Sequence, residues 1–203
     1  MTYGPCWTET TIAGSPTRSS VAPDNARRSG ILRYDLDANP EGVALTTATA
    51  VLYGLPVGME WAASIRIRGA LTSCEWWSGL ASDAARVSTG SIDFAGIRFA
   101  SGVDATYIEG VCRSGTSETT VNLSAAVVDT WVAYAMRRTA TGVEFYSLDL
   151  SDRAVVGRTL LGAITTNVPT GALRFVALGG YATAGASRSC DIDWWTIGGR
   201  EAR

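Results

Sequence analysis

The sequence predicts an all-β fold, two antiparallel sheets stacked face to face, and three observations carry that reading. Residues 61–68 alternate strictly, with Trp61, Ala63, Ile65 and Ile67 on one side of the chain and Ala62, Ser64, Arg66 and Arg68 on the other. That period of two marks a half-buried strand. Similar patterns recur at 94–99, 131–138, 143–150, 173–178 and 190–197, bounded by Gly, Ser, Thr or Asp, as in sandwiches whose inner faces share one core. No segment sustains a helical period, and residues 82–87 are the one short helical candidate.

At 203 residues, with 46% hydrophobic side chains and seven tryptophans, the chain suits one large core, since β sandwiches run to roughly 200–250 residues as single units. Residues 1–29 are rich in Thr, Ser, Pro and Arg. They read as an extended N-terminal arm ahead of a β-sandwich domain spanning 30–203. Such a segment buries little by itself. It is either a loose terminus or an assembly arm anchored on another surface by Trp7 and Ile12.

The first domain strand is expected at 31–36, followed by a turn at 37–42 and a Thr/Ala/Val-rich strand over 45–53 that breaks at Leu55, Pro56, Val57 and Gly58. Adjacent Trp76 and Trp77 must point to opposite faces of their strand, one into the core and the other toward solvent or a partner. Hairpins are expected from 94–99 into 107–112 and from 131–138 into 143–150. Strands at 119–123, 155–164 and 173–178 follow, then a flexible glycine-rich loop over 179–187 and a closing strand at 190–197.

Composition excludes several functions. A net charge of -2 and a pI near 5.2 supply no basic field for nucleic acid. No apolar run is long enough to span a bilayer as a helix, and the first twenty residues lack the basic start and apolar centre of an export signal. The chain contains neither His nor Lys. This removes Ser-His and Cys-His nucleophiles, Schiff-base lysines, Ser-Lys dyads and the P-loop. Cys6, Cys74, Cys112 and Cys190 are scattered, with no CxxC spacing, so no metal or other cofactor is expected.

Gly96, Ile97, Arg98 and Phe99 ahead of Tyr107, Trp131 to Arg138 followed by Gly142 to Leu150, and the terminal Asp191, Ile192, Asp193 and Trp194 together resemble the concanavalin A-like lectin/glucanase jelly roll. Domains of that kind occur in carbohydrate-binding proteins and in virion proteins of tailed phages. The resemblance covers about residues 30–197 and implies a two-sheet antiparallel jelly-roll sandwich. It also implies chain ends that lie close together, which makes Cys6 with Cys190 and Cys74 with Cys112 the first disulfide pairing to test. Intersubunit bonds and buried free thiols stand as alternatives.

The Glu-x-Asp-x-x-Glu strand of the related glucanases is missing, because Glu75 is followed by Trp76 and Trp77, and Asp191 and Asp193 lack a third acid. No catalytic residue is therefore expected. Asp191 and Asp193 with Asp149 or Asp152 offer oxygen ligands to calcium, but solvated strand-end acids are the favoured reading. Trp76, Trp77, Tyr107, Tyr181, Trp194 and Trp195 are the candidates for glycan or partner contact, with core or interface roles favoured for most.

The function these expectations favour is a non-enzymatic virion protein of a tailed phage, a capsid-decoration, head-fibre or tail-associated subunit. It would contact other virion proteins and further copies of itself. The alternative is a carbohydrate-binding module or receptor-binding fibre domain that meets a cell-surface glycan.

Overall fold

The computed structural model describes residues 7–21, 31–89, 91–151, 154–183 and 188–199, and the architecture below is that of these residues. Fifteen strands form two antiparallel sheets. The eight-stranded sheet contains β1 (Trp7–Ala13), β4 (Glu41–Thr47), β5 (Leu52–Tyr53), β7 (Cys74–Ala81), β8 (Phe94–Ala100), β9 (Asp104–Ser114), β10 (Ser117–Ala125) and β14 (Ala172–Ala182). Its order is β1-β4-β14-β7-β8-β9-β10, with β5 paired to β14. The seven-stranded sheet contains β2 (Thr17–Val21), β3 (Ile31–Leu36), β6 (Met59–Gly69), β11 (Val132–Arg138), β12 (Val143–Ser151), β13 (Ala154–Ile164) and β15 (Arg188–Gly199). Its order is β13-β12-β11-β6-β15-β3-β2.

Strand alternation sends Trp61, Ile65 and Ile67 of one sheet and Trp76, Leu80, Ile97 and Phe99 of the other into a shared core with Phe145 and Cys190. Five of six side chains that the alternation marks as interior (Ile65, Ile67, Ile97, Phe99 and Phe145) are buried. Phe175 is half-buried against the same core. Gly179 and Gly180 lie inside β14, because Trp77 and Trp76 of the neighbouring strand occupy the space a Cβ would need. The expected flexible loop therefore begins later, and its residues 184–187 lie outside the described part.

The expected arm is corrected: β1 pairs with β4 and β2 with β3, so this segment supplies an edge strand to each sheet. Thr- and Ser-rich chain suits such a place, since an edge strand needs one hydrogen-bonded partner and only half-burial. Ile12 packs on this domain's own second apolar cluster, and Trp7 is half-buried opposite Thr47. The strand expected over 45–53 splits into β4 and the short β5. Residues 82–87 form bends and turns instead of a helix.

The disulfide expectation is corrected as well. Cys74, Cys112 and Cys190 are free, buried thiols of the core, and Cys6 lies outside the described residues. Burial pushes the Cys74 thiol up to about 11 and the Cys112 thiol up to about 12, and it raises Cys190 well above the ordinary range.

Candidate functional site

Each sheet presents an outward face, and the two differ in what covers them. On the eight-stranded sheet the residues alternating with the core set include Glu75, Trp77 and Ala81 of β7, Phe94 and Arg98 of β8, and Glu109, Val111 and Arg113 of β9. Trp77, Ala81, Phe94, Val111 and Val176 form a second buried cluster with Ala84, Val87 and Ile92. Those last three belong to the β7–β8 connection, residues 82–93, which folds back over its own sheet.

Polar contacts hold that connection down. Its neck closes through Ser82 N–H to the Asp93 carbonyl at 2.9 Å and Asp93 N–H to Ser82 Oγ at 3.0 Å. The buried Glu75 carboxylate accepts from the Ser88 amide at 2.7 Å, the Ser88 hydroxyl and Arg86 Nε at 2.7 Å. Arg113 donates to the Val87 carbonyl, and the Arg86 guanidinium lies 4.4 Å over the Tyr181 ring. Beside this cover, Arg98 donates to Glu109 at 2.8 Å and to Glu118 at 2.8 and 2.9 Å, and Arg113 reaches Glu118 at 2.7 Å. Arg98 is only 1% exposed. These three glutamates thus spend their lone pairs on the chain itself. A glycosidase site needs two carboxyl groups facing an open cleft, with room for the sugar between them.

The outward face of the seven-stranded sheet bears Glu60, Ala62, Ser64, Arg66 and Arg68 of β6, opposite the core residues Trp61 to Ile67. Two recesses meet here at Leu148. One, of about 230 Å³, is lined by Ser64, Trp131, Val132, Ala133, Leu148 and Leu150. The other, of about 300 Å³, is lined by Glu60, Ala62, Leu148, Val155, Val156, Gly157 and Arg158. The Ser64 hydroxyl is buried and has no hydrogen-bond partner among the described residues, which is uncommon for a buried polar group. Trp131 is half-buried, with the Arg66 guanidinium 4.7 Å from its ring.

Beyond Arg66 this face continues into an ion cluster. Asp191, fully buried, accepts from Arg33 at 2.6 and 3.0 Å and from Arg66 at 3.1 and 2.8 Å. This replaces both expectations for Asp191: it is neither a solvated acid nor a calcium ligand, because guanidinium groups take both oxygens. A register shift between Ile192 and Trp194 also breaks the alternation that would align Asp193 with it. Asp149 sits on β12, with β11 and β6 between it and β15. Asp152 lies outside the described residues. Among the described residues no group of three metal-ligating side chains occurs.

The expected aromatic contacts divide. Trp76 and Trp77 point to opposite faces as the sequence requires, yet both are buried, Trp76 in the core and Trp77 beneath 82–93. Tyr181 is half-buried under Arg86, and Tyr107 is exposed near the β8–β9 turn. The structure does not gather them into one platform, and the side chains of Trp194 and Trp195 lie outside the described part. Sequence reasoning missed Trp131 as a recess wall, and the signal was available: it directly precedes β11 and falls on the outward parity of Ala133 and Ala135. It also missed the Arg98 network. An arginine flanked by Ile97 and Phe99 in a buried strand is itself a sign of a paired interior charge.

No family model and no curated protein matches the chain. Solved structures do. The exoplasmic/lumenal domain of VIP36, in a form bound to Ca2+ and Man3GlcNAc, superposes with a TM-score of 0.63 at 14% identity, covering 100% of this chain and 86% of that one. A glycoside hydrolase family protein from Mycobacterium thermorestibile gives 0.59 at 13% identity, over 95% and 92% of the two chains. One from Mycobacterium fortuitum gives 0.53 at 15%, over 95% and 91%. At such identities the likeness establishes the fold alone: the chain is a two-sheet jelly-roll sandwich of the concanavalin A-like kind.

Proposed function

We propose that the protein is a non-catalytic glycan-binding module whose sugar site is the Trp131 recess on the seven-stranded sheet. The observation that carries this reading is the unpartnered Ser64 hydroxyl in a recess walled by Trp131. A sugar offers a hydroxyl to Ser64 and an apolar ring face to the recess beside Trp131. Leaving a buried hydroxyl unsatisfied costs about 1–3 kcal/mol, and an arriving ligand hydroxyl recovers part of it. The lectin and glycoside hydrolase titles among the structural neighbours support the glycan class. The arginine-engaged glutamates support binding without hydrolysis. A glycan array with the full chain tests the reading: the expected result is retention of a sugar class that Trp131→Ala releases, with no cleavage products. Absence of any retained glycan overturns it.

A second reading, a tailed-phage virion subunit, is favoured by the exposed Val155, Val156 and Leu160 of β13, which suit a protein contact better than water. Its test is incorporation of the chain into particles, seen by electron microscopy.

A further inference from the structure

The ladder between β11 and β12 runs from Arg138 opposite Val143 to Tyr134 opposite Ser147 and stops there. Neither strand stops with it. β11 goes on pairing with β6, Ala133 opposite Ser64 and Val132 opposite Ile65, while β12 goes on pairing with β13, Leu148 opposite Arg158 and Leu150 opposite Val155. Each strand is thus held by its outer neighbour while the two part from each other. The recess of about 230 Å³ opens in this fork, with Val132 and Ala133 on one side, Leu148 and Leu150 on the other, and Ser64 and Trp131 completing it.

A fork in a ladder sets the chemistry of what fills it. Main-chain N–H and C=O groups that the strands would exchange beyond Tyr134 and Ser147 have no ladder partner across the gap, and such groups require a hydrogen-bonding occupant. Around them stand Ala133, Leu148 and Leu150, and no charged side chain lines the recess. The complement is a neutral planar amide with a small apolar end, since an amide carries one donor and one acceptor as a strand residue does. A carboxylate would leave water with no cation to meet it. A plain hexose would press several hydroxyls against aliphatic side chains. A through-running extra strand is barred, because the closed pair at Tyr134 and Ser147 brings the strands back to the usual spacing of about 4.8 Å.

We propose that the ligand is an N-acetylated amino sugar whose acetamido group enters the fork between β11 and β12. This inference rests on the glycan-binding reading and names its ligand class. The acetamido methyl packs against Ala133 and Leu148, its N–H and C=O meet the main-chain groups that the ladder leaves over, and a ring hydroxyl reaches Ser64, which has no partner among the described residues. The pyranose ring stays at the mouth beside Trp131.

Equilibrium binding of the full chain to matched methyl glycosides, followed by amide chemical shifts, tests it: N-acetylglucosamine against glucose, and N-acetylgalactosamine against galactose. The expected result is that an N-acetylated sugar binds at least about tenfold tighter than its unacetylated counterpart, with shifts centred on Ala133 and Leu148. Ala133→Leu, which fills the fork, removes that preference, with thermal melting as the check on its fold. The ligand pairs carry the test on the native chain whatever that variant does. Equal binding within each pair, or tighter binding of the plain hexose, overturns this inference and leaves glycan binding standing. Binding of no sugar overturns both. Shifts at the fork from an acetylated dipeptide amide and from neither amino sugar also overturn it, and assign the fork to a peptide.

Discussion

On the eight-stranded sheet the outward side chains include Glu75 and Trp77, covered by residues 82–93, and beside them the paired Arg98 and Glu109. On the seven-stranded sheet they include Ala62, Ser64, Ala133 and Leu148, which line two recesses although the first three are themselves buried. Connection length is the physical origin of the difference. Twelve residues join β7 to β8, enough to fold back and bury Ala84, Val87 and Ile92, whereas four join β11 to β12 and can only turn. Both faces hold interior, saturated charges, Glu75 bonded by Arg86 and Ser88 on the first and Asp191 by Arg33 and Arg66 on the second. The second also leaves the Ser64 hydroxyl for the proposed ligand. The Glu75 and Arg98 networks belong to the first face, and the Asp191 clamp and the proposed sugar recess to the second.

The largest expected effect lies on the covered face. Arg98→Ala strands the buried Glu109 and leaves the half-buried Glu118 only Arg113, and it should cost about 3–5 kcal/mol in urea unfolding. A loss under about 1 kcal/mol would mean that the network is solvated and the face less closed than its geometry indicates. Glu75→Gln keeps the shape but weakens three hydrogen bonds to the cover. About 2 kcal/mol is expected, with faster amide exchange at Ser88 as the local readout. Exchange at Ser88 that matches the wild type would break the claim that Glu75 holds 82–93 down.

The buried thiols give a prediction in pH. Burial holds their folded pKa values above the ordinary thiol value of 9.0, with Cys74 pushed up to about 11 and Cys112 up to about 12. The unfolded chain therefore releases these protons first as pH rises. Stability from this source is complete below about pH 9 and is lost progressively toward pH 11–12. Thiol reagents at pH 8 should leave Cys74, Cys112 and Cys190 unmodified until the chain is unfolded. The smallest effect is expected on the open face: Arg66→Ala leaves Asp191 its two bonds from Arg33, and about 1.5 kcal/mol is expected, measured by the same denaturation.

The sandwich was legible because alternation is a local signal, and 61–68 or 143–150 declare their inner faces without help from the rest of the chain. The ends were less legible. The strands β1 and β2 carry little apolar pattern, since edge strands are stabilised by backbone pairing with segments distant in sequence. The site was least legible of all. Trp77 was placed correctly on the face opposite Trp76, but what covers it comes from 82–93, a segment with no strand or helix period. The clamp on Asp191 joins residues 158 and 125 positions apart, beyond the reach of any motif. Gly179 and Gly180 looked like the start of a flexible loop because their real cause, the tryptophan rings of the neighbouring strand, is invisible in one dimension.

The central claim is that ligand binding belongs to the open face and not to the covered one. Amide chemical-shift mapping with the sugar retained on a glycan array tests it most directly. Shifts are expected at Ser64, Ala133 and Leu148 and at the Trp131 indole, with Glu75, Trp77 and Ser88 unmoved. Shifts concentrated at Glu75, Ser88 and Tyr181 would contradict it and assign the site to the eight-stranded sheet.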